Sequence, residues 1–355
     1  MEKKLVKSTE VKRPAWLRNL FNFRLFSGAQ PKISPHAVID PTAEISEDVE
    51  IGPFCVIGPE VKIASGCRLL NSVTILGKTT LGRDNILFPN SVLGTAPQDK
   101  KYKGQPTYLE IGIANVFREA VTIHCGTEKG GGVTRIGDDN LFMVTSHVGH
   151  DCTVGSHCVI TNDVLLAGHV HIGDNVNIMG GVGIHQFVTV GDCAFIGGYA
   201  RIHHDVPPFV KVDGEDEIRG LNKIGLSRAG FSADDIAELD AACRKLFLHR
   251  KPLSKAMAEF DSMNTLNPLV KRLVDSLRDR DQGRHGRARE GHRSRDAKTP
   301  PSADTAPVAP DTADTAPIVL EAADTTPVVP DAADTAPREA PPHVVNRPSK
   351  PPATV

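Results

Sequence analysis

The sequence predicts a mainly β chain coiled as a parallel β-solenoid, followed by a small helical domain. Three observations predict it. An aliphatic residue recurs at every sixth position from Ile39 to Ile202, the rhythm breaks twice in the middle of that run, and after Ser232 the spacing becomes helical.

The first run reads Ile39, Ile45, Ile51, Ile57, Ile63, Leu69, Ile75, Leu81, Leu87, Leu93. Two residues before each of the earlier ones stands a small or branched residue: Ala37, Ala43, Val49, Cys55, Val61, Cys67, Val73, Thr79. Neither a 3.6-residue helix nor a two-residue strand alternation repeats every six residues. A parallel solenoid does, because each hexad is one short strand plus a turn. Three hexads close a coil, so residues about 18 apart are expected to stack at the strand spacing of roughly 4.8 Å. The glycine that often follows the aliphatic residue, as at Gly52, Gly58, Gly137 and Gly173, is expected to ease the corner through its conformational freedom.

The first break runs from Ala96 through Asp99, Lys101 and Tyr102 to Pro106, after which Ile111, Phe117 and Ile123 resume the beat. The second is the glycine-rich stretch from Gly126 to Gly132. Beyond it the rhythm returns one residue out of phase: Ile136, Phe142, Val148, Val154, Ile160, Leu166, Ile172, Ile178, Ile184, Val190, Ile196, Ile202. Insertions in a solenoid are extruded as loops, often on the binding face. Neutral loop drift is the simpler reading, but both loops precede the histidine-rich part of the chain.

Composition bounds the rest. The 355 residues carry a net charge of −2, with 40% hydrophobic and 5% aromatic residues. That suits a thin prism filled by Val and Ile, and gives no electrostatic argument for nucleic acid. Seven cysteines show no Cys-x-x-Cys pair. Cys55, Cys67, Cys152 and Cys158 fall at the small inward position of a hexad, which reads as packing in a reducing compartment. No apolar run is long enough to cross a membrane and no signal-peptide pattern is present, so a cytoplasmic protein is expected.

Four segments follow. Residues 1–32 are an N-terminal extension with an aromatic-aliphatic run from Trp16 to Phe26. Two fates are open for residues 13–26: a short helix on a membrane surface, or a cap over the open end of the solenoid. Residues 33–206 are the solenoid and 207–281 a linker with a helical domain. There Ser232 is an N-cap with Asp235 three residues on, and Ile236, Leu239, Cys243, Leu246 and Phe247 follow at helical spacing. Two more helices are expected near 253–263 and 267–280. Residues 282–355 repeat Ala-Asp-Thr-Ala-Pro-like units that cannot bury a core, and disorder is expected.

Five histidines cluster in the second half of the solenoid: His124, His147, His150, His169 and His185. None occupies an inward aliphatic position, so all are expected at the outer face or a corner. His150 is the sharpest candidate. It lies between Gly149 and Asp151, and eighteen residues later Gly168 should sit one coil above it. A base beside an exposed backbone N–H is what acyl transfer needs, the histidine taking a hydroxyl proton and the N–H binding the oxyanion. Surface histidines are the plain alternative. A zinc site of three histidines shared between subunits is the other.

At these residues the chain resembles the hexapeptide-repeat acyltransferases, and closely those that O-acylate UDP-N-acetylglucosamine in lipid A biosynthesis. The matching stretches are Val121–Thr127, His147–Gly155, Leu166–Val170, Gly183–Phe187 and Asp205–Phe209, in the same order and at similar spacing, within a likeness running from about 33 to about 280. The resemblance implies a left-handed parallel β-helix, a homotrimer, an active site between subunits and no cofactor or metal. It implies transfer of an (R)-3-hydroxyacyl group from acyl carrier protein to the sugar nucleotide.

By position, the resemblance makes His150 the general base, Gly168 the N–H donor to the thioester oxygen, and Asp151 the support of the base. Asp99 and Lys101 match sugar contacts. His124, His147, His169, His185 and Gln186 match groove residues. Asn222 and Arg228 match nucleotide contacts, and Gly198 falls where acyl length is limited, with glycine leaving room for longer chains. Ile224 and Ala229 depart from the family pattern, which usually has a glutamate and a second arginine there, so a 3-amino UDP-sugar stays open as acceptor. A carbonic-anhydrase-like zinc trimer and a non-catalytic scaffold are the alternatives from other classes. An acidic carrier-protein partner calls for a basic surface, for which Arg244, Lys245, Arg250, Lys251 and Lys255 are candidates.

Overall fold

The computed structural model describes residues 32–249, 251–263 and 265–282. The N-terminal aromatic run, Arg250 and the repetitive tail lie outside the described residues. The hexads become two-residue strands that pair in parallel one coil apart, Val38 with Val56 and Ile39 with Ile57. They build three sheets wrapped around one prism. Sheet 1 has nine strands from Val38–Ile39 to Arg201–Ile202, sheet 2 has eight from Glu44–Ile45 to Thr189–Val190, and sheet 3 has ten starting at Glu50–Ile51.

The expected eighteen-residue register holds as far as Arg201–Ile202 except at the two breaks, and beyond that it shortens to sixteen, Phe195 pairing with Lys211. Leu93 pairs with Ile123, thirty residues on, so the first loop inserts twelve residues. Phe117 pairs with Phe142, twenty-five on, so the second inserts seven, which accounts for the one-residue change of phase. Both loops leave the corner where sheet 1 passes to sheet 2, in successive coils.

The inward aliphatic residues are buried from Ile51 onward, Ile39 and Ile45 of the first coil being partly so, and Phe117 stacks on Phe142 at 5.1 Å in the middle. Truncating either ring would cost roughly 3–5 kcal/mol. All seven cysteines are buried and none forms a disulfide. Burial pushes the Cys67 and Cys158 thiols up to about 12, as packing residues rather than nucleophiles.

The glycine expectation needs correcting. Gly137 does not use a left-handed backbone; a Cβ there would lie 2.7 Å from the Gly155 carbonyl oxygen of the next coil, so close stacking demands it. The left-handed pivot comes three residues after the inward aliphatic and is usually not glycine, as at Asp139, Asp151, His157 and His169, with φ between 52° and 63°.

The sheet 3 ladder runs on to Val210–Asp213, which pairs with Phe195–Ile196 and turns back as an antiparallel strand, Glu217–Leu221. Helices α1 (Lys223–Arg228), α2 (Ala233–Cys243), α3 (Leu253–Asp261) and α4 (Pro268–Asp281) follow. The sequence pattern missed α1, whose six residues are too few for a period. In α2, Ser232 caps as expected, accepting from the Asp235 N–H at 3.1 Å. Leu239, Cys243 and Leu246 join the prism core, and Arg272 of α4 lies over Phe209 and pairs with Asp192.

Candidate active site

The corner between sheets 1 and 2 carries the histidines. His147 follows Thr122 in the ladder, and its Nδ1 lies 2.8 Å from the Thr122 hydroxyl. His124, one coil below, meets the His147 ring edge-on at 4.9 Å. His124 is 7% exposed and its Nδ1 has no hydrogen-bond partner among the described residues. Burial, with His147 and His150 nearby, lowers its pKa to about 4, and burial lowers that of His147 as well. His124 and His169 are thus buried in the corner, His124 against His147 and His169 between His150 and Phe187.

His150 Nδ1 lies 2.8 Å from Asp151 Oδ2. Asp151 is fully enclosed and is held from three sides. Its carboxylate accepts from the Thr127 N–H at 2.7 Å and the Thr127 hydroxyl at 2.6 Å, and its own N–H donates to Thr134 Oγ1 at 2.9 Å. Gly130 passes so close that a Cβ there would meet the Asp151 carboxylate at 2.1 Å. Thr127 also caps the short turn Glu128–Gly130. The second loop is therefore the clamp on the histidine's partner. The sequence reading gave no role to Thr127, Thr134 or Gly130; Thr127 closes the matching stretch Val121–Thr127, while Gly130 and Thr134 are marked only by the Gly126–Gly132 stretch and the strand after it.

Gly168 sits one coil above His150, as the eighteen-residue spacing requires. A Cβ on Gly168 would stand 2.6 Å from His150 Cε1, so only glycine leaves the imidazole its place. The Gly168 N–H donates to no protein group among the described residues. His169 packs edge-on against His150 at 5.1 Å, with its Nε2 3.6 Å from Asp151, and stacks flat on Phe187 at 4.4 Å. His185 and Gln186 continue the corner one coil further, His185 Nδ1 lying 3.2 Å from the Gln186 carbonyl oxygen.

The two extruded loops meet. Asp99, Lys101, Tyr102 and Gln105 of the first line a shallow cleft with Thr127, Glu128 and Lys129 of the second. Asp99 accepts from the Lys101 N–H at 2.9 Å, and the cleft is joined to His150 through Thr127 and Asp151.

Three expected residues lie elsewhere in the chain. Gly198 is on the corner from sheet 3 to sheet 1, where a Cβ would make an ordinary contact, 3.5 Å from the Gly180 carbonyl oxygen. Asn222 is buried, caps α1 by accepting from the Gly225 N–H at 3.1 Å, and donates to the Cys193 carbonyl at 2.9 Å. Arg228, the last residue of α1, is exposed, as are Ile224 and Ala229. The basic candidates in the helical end are largely paired: Arg244 with Asp240, and Lys245 and Lys251 with Glu259.

Donor atoms of His150, Asp151 and His169 lie within 4.8 Å of one another. The carboxylate oxygens already serve Thr127 and His150, so the set is built as a hydrogen-bonded relay that a cation would have to disrupt.

The family description for domain 2 of UDP-N-acetylglucosamine O-acyltransferase matches residues 205–286, and that for the GMPPB C-terminal domain matches residues 33–101. The chain is 43% identical over 250 residues to an acyl-[acyl-carrier-protein]–UDP-N-acetylglucosamine O-acyltransferase of Stenotrophomonas maltophilia, covering 70% of this chain and 95% of that one. It resembles the crystal structure of the UDP-N-acetylglucosamine O-acyltransferase of Moraxella catarrhalis with a TM-score of 0.67 and 40% identity, over 70% of this chain and 97% of that one. The Arabidopsis UDP-N-acetylglucosamine acyltransferase gives 0.63 and 35%, over 70% and 96%. The fold shared with these structures is the left-handed parallel β-helix.

Proposed function

The chain belongs to the UDP-N-acetylglucosamine O-acyltransferase family, and from that premise we propose that it moves an (R)-3-hydroxyacyl group from acyl carrier protein to the 3-hydroxyl of UDP-N-acetylglucosamine, the first acylation of lipid A assembly. One observation carries the reading: a histidine fixed by an enclosed carboxylate packs against Gly168, whose backbone N–H donates to no group among the described residues.

With Nδ1 on Asp151, His150 offers Nε2 to the sugar hydroxyl. The hydroxyl oxygen attacks the thioester carbon as its proton passes to Nε2, and the Gly168 N–H receives the oxyanion. Collapse restores the carbonyl, breaks the carbon–sulfur bond and returns the proton to the departing thiolate. No acyl-enzyme is formed: the nearby Cys152 thiol is buried and donates to the Ala167 carbonyl at 3.0 Å.

Asp99 and Lys101 are assigned to the sugar from the cleft that leads to His150. His124, His147, His169, His185 and Gln186 line the path. His124, with its depressed pKa, is neutral near pH 7 and suits a hydroxyl or an acyl chain rather than a phosphate. Gly198, Asn222 and Arg228 lie away from the His150 corner of their own chain, so we assign them to the neighbouring copy in a homotrimer. There the exposed Arg228 guanidinium takes the diphosphate, and the exposed Gly198, with no side chain of its own, leaves room for longer acyl chains. The protein works in the cytoplasm without metal or cofactor; no described helix is long and apolar enough to cross a membrane.

The test is product formation by the full chain from 3-hydroxyacyl carrier protein, with UDP-N-acetylglucosamine and its 3-amino analogue side by side. Faster acylation of the hydroxyl sugar supports the proposal. Acylation of the amino sugar alone overturns the acceptor. No transfer to either, with zinc-dependent CO2 hydration, overturns the reaction.

A further inference from the structure

The row of corner positions that holds His150 does not stop at Gln186. The second residue after the inward aliphatic runs His150, Gly168, Gln186, His204, because Val148, Leu166, Ile184 and Ile202 pair in register one coil apart. His204 therefore stands three coils above His150, about 14 Å along the prism at the strand spacing. It has a carboxylate of its own. His204 Nδ1 lies 2.8 Å from Asp216 Oδ2, the same distance that His150 Nδ1 keeps from Asp151.

Asp216 comes from the turn between Val210–Asp213 and Glu217–Leu221. That turn is tied to the corner by the Arg201 N–H, which donates to the Gly214 carbonyl at 2.8 Å. Asp216 takes a left-handed φ of 58°, which aspartate tolerates better than most residues. Its Oδ1 accepts from the His203 and His204 N–H groups at 2.9 and 3.2 Å. Backbone thus holds this carboxylate, and the carboxylate holds the ring. The His204 side chain is 80% exposed. His203 links the pair to the site below, its ring 6.1 Å from that of His185. His157 and Asp139 form a similar pair, but at the corner from sheet 2 to sheet 3, outside this row.

A carboxylate only accepts, so in the neutral ring Nδ1 carries the proton and Nε2 presents a lone pair to solvent. Such an atom suits a hydroxyl, not a phosphate oxygen. We propose, resting on the acceptor proposed above, that His204 accepts a hydrogen bond from a ribose hydroxyl of the sugar nucleotide whose sugar hydroxyl lies at His150. Asp216 is its positioning residue. The separation suits one extended molecule: sugar ring and diphosphate stand between the reacting hydroxyl and the ribose, as three coils stand between the two histidines. The level agrees as well. Asn222, assigned above to the nucleotide, donates to the Cys193 carbonyl, in the coil that leads into His204. In a cyclic trimer every copy presents these residues at one level.

Calorimetric titration of the full chain with UDP-N-acetylglucosamine, without acyl donor, tests this apart from catalysis. The 2′-deoxyribose and 3′-deoxyribose forms of the nucleotide are titrated beside it. One of the two is expected to bind about three- to tenfold more weakly, the scale of one hydrogen bond. His204→Ala, shown folded by its melting temperature, is expected to weaken the parent nucleotide by the same factor and to bind that deoxy form as well as the parent. Equal binding of all three by the unmodified chain overturns the inference and leaves the acceptor standing. So does an unchanged affinity in His204→Ala. A loss in His204→Ala that is equal for the parent and both deoxy forms overturns it in favour of a phosphate contact. No nucleotide binding by the unmodified chain overturns the acceptor itself, and the inference with it.

Discussion

Two corners of the same prism use the same hexad position in opposite ways. Where sheet 2 passes to sheet 3, the second residue after the inward aliphatic is Asp138, Ser156, Asp174 or Asp192. The first three backbone N–H groups are taken by the side chain one coil above: Asp138 by Ser156 at 3.0 Å, Ser156 by Asp174 at 2.7 Å, Asp174 by Asp192 at 2.7 Å. Where sheet 1 passes to sheet 2, that position holds His150, Gly168 and Gln186. Gly168 has no side chain to accept the His150 N–H, and its own N–H stays unclaimed among the described residues. The first corner stitches coils together. The second omits the stitch, and the omission leaves both a donor and room for an imidazole. Catalytic potential here comes from withholding a structural bond from an otherwise identical repeat.

The largest effect expected from breaking this contrast is at Gly168. Gly168→Ala puts a Cβ on the imidazole, and displacement of the base should lower kcat by about 10² or more. Steady-state rates set beside melting temperature check it, with little change in the latter expected.

At the structural corner the order reverses. Asn140 accepts from the Cys158 N–H at 2.7 Å and donates to the Gly155 carbonyl at 2.9 Å. Asn140→Ala strands the buried Cys158 N–H, at about 1–3 kcal/mol, and leaves the part-buried Gly155 carbonyl without its amide donor. Denaturant unfolding should show the loss while kcat of the folded fraction holds.

Acid sharpens the comparison. Folded His124 holds a proton only below about 4, whereas an unfolded histidine holds one up to about 6.5. Between these values the unfolded chain binds more protons, so the stability His124 contributes is complete above about 6.5 and is lost as pH falls towards 4. His147 acts in the same direction. His124→Gln should flatten the unfolding free energy across that window.

The smallest effect is at Thr127. Thr127→Val removes one of the two bonds from that residue to Asp151 and keeps the N–H. A loss of roughly tenfold in kcat is expected, the scale of one hydrogen bond, with a displaced pH–rate profile and unchanged KM. Rescue by Thr127→Ser would separate positioning from packing.

Much of this was legible in the sequence, for definite reasons. A six-residue beat has one economical solution, and an eighteen-residue coil places Gly168 on His150 by arithmetic. What was hidden involves other distances or other chemistry. Thr127 reaches Asp151 across the seven-residue insertion, a separation of 24 that no repeat encodes. Asn85, Asn115 and Asn140 fill the small inward position with amides that stitch coils, and a rule based on size does not see polarity. The glycines were read for freedom when close stacking of neighbouring coils was the cause. Gly198, Asn222 and Arg228 cannot be joined to His150 by spacing within one chain, because they sit on another corner and on the helical end.

The central claim is that His150, fixed by Asp151 beneath Gly168, is the base of acyl transfer. The most direct measurement is the rate of transfer from 3-hydroxyacyl carrier protein to UDP-N-acetylglucosamine by the unmodified chain and by His150→Ala, each shown folded by its melting temperature. The account predicts a fall in kcat of about 10² to 10⁴. A folded His150→Ala variant within a few-fold of the unmodified rate would contradict it.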